Sequence, residues 1–168
     1  MIYNPDILDY QPFYIQTNED ERAIDIKSQW GIIIKSNPNT SLPKAKEPYK
    51  NQWLDENGDD EYTAEMYFEA MEITIGIYVS CKGSDQTQSI AELRQIKRSF
   101  FEKICKGEFM IYDSALQNGY RKVRYVSETT DQKIWKNAPR YTEISTITLK
   151  VNDPITQIVL RDGKLMEV

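Results

Sequence analysis

Apolar and polar positions alternate over residues 62–80, with Met71, Ile73, Ile75, Ile77 and Val79 on one face and Glu72, Thr74, Gly76, Tyr78 and Ser80 on the other. A period of two marks a strand with one face buried, here long enough to cross a whole sheet. Residues 82–88 are polar, and then the period changes. Ser89-Ile-Ala-Glu92 has capping-box spacing, after which Ile90, Leu93, Ile96 (or Lys97), Phe100, Phe101 and Ile104 recur at helical intervals. Gly107 supplies a stop, so the pattern predicts one amphipathic helix over about 89–106. Beyond it, residues 109–112 read as a short strand and Asn118-Gly119 as the turn into a strand at 120–126, where Val123 and Tyr125 face away from Lys122 and Arg124. A polar loop holding Trp135 and Pro139 is expected at 129–140, then a strand at 141–151 with Ile147, Leu149 and Val151 inward. Asn152-Asp153-Pro154 ends that strand, and two short apolar runs flank Asp162-Gly163 as a terminal hairpin.

The first half is less regular. Phe13 to Thr17 reads as a short strand and 18–21 as a charged turn. Residues 23–27 and 30–35, built around Ile24, Ile26 and Ile32 to Ile34, read either as paired strands or as one strand bulged near Gly31. From about 36 to 61 the apolar rhythm vanishes: Pro38, Pro43 and Pro48 break regular structure, Lys44, Lys46 and Lys50 occupy the middle, and Asp55, Glu56, Asp59 and Asp60 crowd the end. A loop of this length inside a compact domain is normally functional or disordered. Tyr49 and Trp53 are out of place on a solvated linker, so the expectation is a loop that orders against a partner. The interface set expected there is Lys44, Lys46, Tyr49, Lys50, Trp53, Asp55, Glu56, Asp59 and Asp60. The fold class is α+β, mainly β: a β-sandwich or barrel-like arrangement of antiparallel sheets with one flanking α-helix. One domain is expected over 1–168, with residues 1–21 as an N-terminal arm, 22–154 as the core and 155–168 as a C-terminal strand or hairpin.

Composition mostly excludes. The 168 residues carry 21 basic and 26 acidic side chains, a net charge of −5 that opposes tight binding to a phosphate backbone. Arg94, Lys97, Arg98, Lys103 and Lys106 are expected to form the solvated face of the helix. There is no histidine, which removes histidine general bases and imidazole metal ligands. Cys81 and Cys105, 24 positions apart, form neither a zinc motif nor a disulfide framework and read as reduced thiols of a cytoplasmic protein. The acidic run around Gly58 fails EF-hand spacing because Trp53 falls on the first ligand position. Lys82-Gly83-Ser84 lacks the rest of a phosphate loop. No apolar run approaches the ~20 residues that span a bilayer, and the acidic N-terminus has no signal-peptide core. The reading is no enzyme, no cofactor, no metal site and no membrane.

The order of elements resembles the tail-tube fold of long-tailed bacteriophages, shared by tube subunits and the first domain of distal tail proteins. Trp30-Gly-Ile-Ile-Ile-Lys35 is similar to the strand before that family's long loop, residues 71–79 to a channel- or core-lining strand, and 89–104 to the flanking helix. Phe109-Met-Ile-Tyr-Asp113, Asn118-Gly119 and 120–126 are similar to the strands after the helix, and Ile147-Thr-Leu-Lys-Val-Asn-Asp-Pro154 to the closing strand. The likeness covers roughly residues 22–154. It implies a β-sandwich with one helix on its flank and a long loop reaching a neighbour. It also implies a ring, a hexamer in this family, that stacks with other tail proteins around a channel through which DNA passes without specific binding. Such a protein assembles in the bacterial cytoplasm and resides in the virion tail. Distal tail proteins often continue into a second domain, whereas this chain stops 14 residues after Pro154, which favours a tube-like or stand-alone ring protein. The alternatives are a tail-terminator or head–tail connector, a monomeric β-sandwich module binding a small molecule or peptide, and last a carboxylate-dependent hydrolase.

Overall fold

The computed structural model describes residues 11–37, 41–51, 60–61, 65–135 and 139–168. In chain order the elements are β1 (Phe13–Thr17), β2 (Ile24–Asp25), α1 (Ile26–Trp30), β3 (Ile33–Ser36), β4 (Lys50–Asn51), β5 (Asp60–Glu61), β6 (Met71–Lys82), α2 (Gln86–Ile104), β7 (Phe109–Asp113), β8 (Asn118–Trp135), β9 (Arg140–Asp153), β10 (Ile158–Arg161) and β11 (Lys164–Glu167). Seven strands make one antiparallel sheet in the order β2-β1-β7-β8-β9-β6-β3. The architecture is mainly antiparallel β, with one long helix against the sheet.

The alternation over 71–82 is real: Ile73, Ile75, Ile77 and Val79 are all buried. Opposite residues of an antiparallel pair share a face, so the register Ile75↔Ile147, Ile73↔Leu149 and Met71↔Val151 stacks the apolar sides of β6 and β9. Phe13 and Ile15 of β1 and Phe109 and Ile111 of β7 line the same interior as Ile75, Ile147, Phe100 and Ile104. The sheet therefore curls round on itself with α2 filling its concave side. Asn37 Nδ2, just past β3, donates to Asp113 Oδ2 at the end of β7 (2.7 Å), tying two distant strands of the sheet across the curl.

Four local expectations change, each for a physical reason. Residues 26–30 are helical: Asp25 accepts from Lys27 N (3.2 Å) and Ser28 Oγ (2.6 Å), and Gly31, at φ 68°, closes the turn by donating to Lys27 O (2.8 Å). That local capping prevails over a short isoleucine alternation. The long helix begins three residues before the expected cap: Asp85 is the N-cap and accepts from Gln88 N (2.8 Å). Ser89 lies within the helix, wholly buried, with its hydroxyl shared among Gly83 N, Asp85 O and Pro139 O. The β7–β8 turn falls at 114–117 because the Asp113 carboxylate accepts from Ala115 N (2.8 Å), while Gln117 takes φ 49°. Gly119 thereby moves into β8, where a Cβ would stand 2.5 Å from Ile111 O and 3.1 Å from Ile158 Cβ. Finally, 129–135 continues β8, paired with β9 as far as Trp135↔Tyr141. Its polar residues on both faces hide the strand period.

Phe13–Thr17, within the stretch expected as an N-terminal arm, is an inner strand of the sheet; residues 1–10 lie outside the described residues. At the C-terminus β10 and β11 form the expected hairpin, with Asp162 (φ 50°) and Gly163 (φ 75°) in the turn. Buried Ile158 and Leu165, the bonds Leu165 N→Gln16 Oε1 (2.7 Å) and Ala23 N→Gly163 O (2.8 Å), and Arg121 bridging Asp153 and Glu167 hold it on the sheet.

Candidate assembly interface

Two surfaces carry unsatisfied contact capacity. The first is the segment expected as a loop. Its stem is a ribbon: Lys46 N→Tyr67 O and Glu69 N→Lys44 O (2.8 Å each) flank an Ala45↔Phe68 bridge, and β4 pairs with β5 farther out. Tyr49, Met66 and Tyr67 are exposed by 74%, 64% and 63%, around a hollow of about 460 Å³ that Ala45 and Pro48 also line. Apolar side chains grouped at such exposure mark contact surface.

The expected interface residues divide. Lys44, Lys46, Tyr49 and Lys50 sit on this ribbon, and Asp60 contributes its backbone to β5. Trp53, Asp55, Glu56 and Asp59 lie outside the described residues. Two of the lysines meet partners within the ribbon itself, Lys44 with Glu69 (3.6 Å) and Lys50 with Glu61 (3.3 Å). Exposed pairs of this kind contribute little. They do, however, neutralise charge that a basic loop centre would otherwise offer to a neighbour.

The second surface has no counterpart among the expected sites. β7 pairs with β8 only as far as Val123. From 124 to 135 β8 is bonded to β9 on one side and to no strand on the other, among the described residues. At ~3.4 Å per residue this open edge is about 40 Å long. Register shifts at Tyr125/Ser127 and Thr130/Gln132 kink it twice. Such bulges are one way a protein re-aims an edge.

α2 overhangs this edge. Phe101 meets Tyr125 edge to face with centroids 5.0 Å apart, and Val126 beside them is 39% exposed. One turn earlier, Lys97 Nζ lies 2.5 Å from Glu128 Oε1 and 3.0 Å from Glu143 Oε2; Tyr141 OH donates to Glu143 Oε1 (2.7 Å). Burial resists ionisation of Glu143, but the bonds from Tyr141 and Lys97 hold its pKa below the usual carboxylate value. Burial lowers and the two glutamates raise the pKa of Lys97, and the glutamates prevail. The same burial and the Glu143 bond push the Tyr141 phenol up to about 12.

Lys97 and Lys103 thus depart from the expected solvated face. Each is only 19% exposed, and Lys103 Nζ pairs with Asp20 (2.6 Å) at the turn after β1. Arg98 and Lys106 remain exposed as expected. Spacing carried the signal: Leu93, Lys97, Phe100 and Ile104 follow i, i+4, i+7, i+11, the stripe that faces the sheet. Among the described residues no three Cys, Asp or Glu side chains gather to hold a metal ion, and no helix is long and apolar enough to cross a membrane.

No family model matches the sequence. No curated protein matches it either. Among solved structures the fold is similar to the crystal structure of the SPP1 Dit protein, described as a paradigm of the hub adsorption apparatus in phages that infect Gram-positive hosts. The TM-score is 0.54 at 15% identity, covering 88% of this chain and 52% of that one. This chain spans about half the length of that protein, and the likeness is one of fold.

Proposed function

We propose that this chain is a structural subunit of a bacteriophage or prophage tail, a tube- or distal-tail-like protein that closes into a ring around the tail channel. The observation that carries the reading is the open β8 edge at 124–135, a run of backbone donors and acceptors without a strand partner among the described residues. Pairing such an edge with another copy of the same chain is β-augmentation, and a head-to-tail contact of that kind closes into a ring when its rotation permits. The ribbon that carries Tyr49, Met66 and Tyr67 is the second contact, reaching the adjacent copy through those side chains. The similarity in fold to a Dit hub protein supports the tail setting. In this reading six copies form the ring, other tail proteins stack above and below it, and DNA passes through without specific binding. Assembly takes place in the bacterial cytoplasm, and the finished protein belongs to the virion tail. The role is mechanical, and no bond is broken.

Light scattering across a concentration series, with negative-stain microscopy of the largest species, tests it. The expected result is about six times the 19.7 kDa chain mass and an annular particle. A 19.7 kDa monomer at every concentration overturns the reading.

A further inference from the structure

Between its two register shifts β8 carries Glu128, whose carboxylate turns toward α2. Glu128 Oε1 is buried, and the Lys97 ammonium 2.5 Å away is the partner that neutralises it. Glu143 is better supplied, with the Tyr141 hydroxyl and Lys97 both on it, and it belongs to β9, an inner strand flanked on both sides. Lys97 therefore matters most to the strand with an open side. Nearby, Phe101 of α2 packs against Tyr125 of β8.

Resting on the ring reading above, we propose that Lys97 is a positioning residue for assembly: by holding Glu128 beneath α2 it sets the free edge of β8 in the one placement that a second copy's strand can join. Two bulges within a few residues weaken the ladder to β9 on either side of Glu128. An edge held only by that ladder samples other placements, and a partner strand then binds only the competent fraction. The tether from α2 removes that loss. Lys97→Met keeps the side chain as far as Cε but removes the ammonium and strands the Glu128 carboxylate, which leaves the interior for water and carries the strand with it.

Hydrogen exchange on dilute monomer and light scattering on concentrated protein test this together, using Lys97→Met, Lys97→Arg and Glu128→Gln. For Lys97→Met we expect amides at 127–130 to exchange at least about tenfold faster while those at 73–77 and 147–151 keep their protection. The concentration at which rings form rises by a similar factor. Lys97→Arg restores both readouts. Glu128→Gln, which leaves Lys97 paired with Glu143 and no charge without a partner, falls between the wild type and Lys97→Met. Equal acceleration across β6 and β9, or wild-type assembly by a folded Lys97→Met protein, overturns the role of Lys97 and leaves the ring intact. A wild-type chain that never assembles while 127–130 loosens as expected overturns the ring reading, and the assembly role with it.

Discussion

Gly119 shows how much of the molecule one hydrogen atom governs. It lies where β8 passes β7 and the C-terminal hairpin, and a methyl there meets Ile111 O at 2.5 Å and Ile158 Cβ at 3.1 Å. The first of these is backbone and cannot rotate away. Gly119→Ala is therefore expected to destabilise the fold by about 2 kcal/mol, in the range of overpacked cores, and to loosen the hairpin first. Urea unfolding measures the former and exchange at Leu165 N the latter; an unchanged midpoint would refute the contact. Leu93, 1% exposed on the stripe of α2 that faces the sheet, tests the opposite fault. Leu93→Ala leaves a hole and is expected to cost about 3 kcal/mol. A cost below about 1 kcal/mol would mean that α2 packs far more loosely than its burial indicates.

At the scale of elements, the sequence was legible where a single period ran long enough. The strand expected within 62–80, the helix expected over about 89–106 and the closing strand expected at 141–151 are present as β6, α2 and β9, with their ends at 71–82, 86–104 and 140–153. What was lost was set by side chains acting on nearby backbone. Asp25 with Ser28 turned an apparent strand into α1, and Asp113 moved the β7–β8 turn off Asn118-Gly119. The outer half of β8 hid because it has little buried face to impose a period; its order comes from the β9 ladder, which no local pattern announces. The candidate edge is hidden for the same reason, whereas Lys97 stands at an inward position of the helical spacing that its charge disguises. The terminal hairpin was readable from Asp162-Gly163, but its anchorage was not, since it depends on Arg121 reaching both Asp153 and Glu167. Burial opposes ionisation of Asp153, yet Arg121 together with Thr156 and Ile155 lowers its pKa from 3.8 to about 2. A carboxylate with a depressed folded pKa adds stability that is complete above the unfolded value and is lost as pH falls through the folded one. The anchorage should therefore weaken between about pH 4 and pH 2. Amide exchange in β10 and β11 should rise across that window, and Asp153→Asn should already show the raised rate at neutral pH. A flat profile in the wild type would exclude Asp153 as the anchor.

At the scale of the whole molecule the open question is which surface joins one copy to the next. The ribbon stem closes on itself at Ala45↔Phe68, so residues 46–67 can be replaced by a four-residue turn without disturbing the Lys44–Glu69 rung. That excision removes Tyr49, Met66 and Tyr67 and, among the described residues, none of the buried core. The shortened chain should keep its thermal midpoint within a few degrees and remain monomeric where the intact protein forms rings. Val126→Lys probes the other surface. It places a charge at the kink where the open edge begins, a device by which natural proteins keep edges unpaired. Because Val126 is 39% exposed, the fold should tolerate the change. If edge pairing builds the ring, this substitution alone raises the concentration needed for assembly by about tenfold or more, since one misplaced charge in a pairing strand costs over 1 kcal/mol. The two variants separate three arrangements. Loss in both means that the ribbon and the edge act together; loss only on excision means that the ribbon builds the contact; loss only with Val126→Lys means that the sheet edge suffices. Assembly that survives both would place the interface on neither surface and refute the arrangement proposed for this chain.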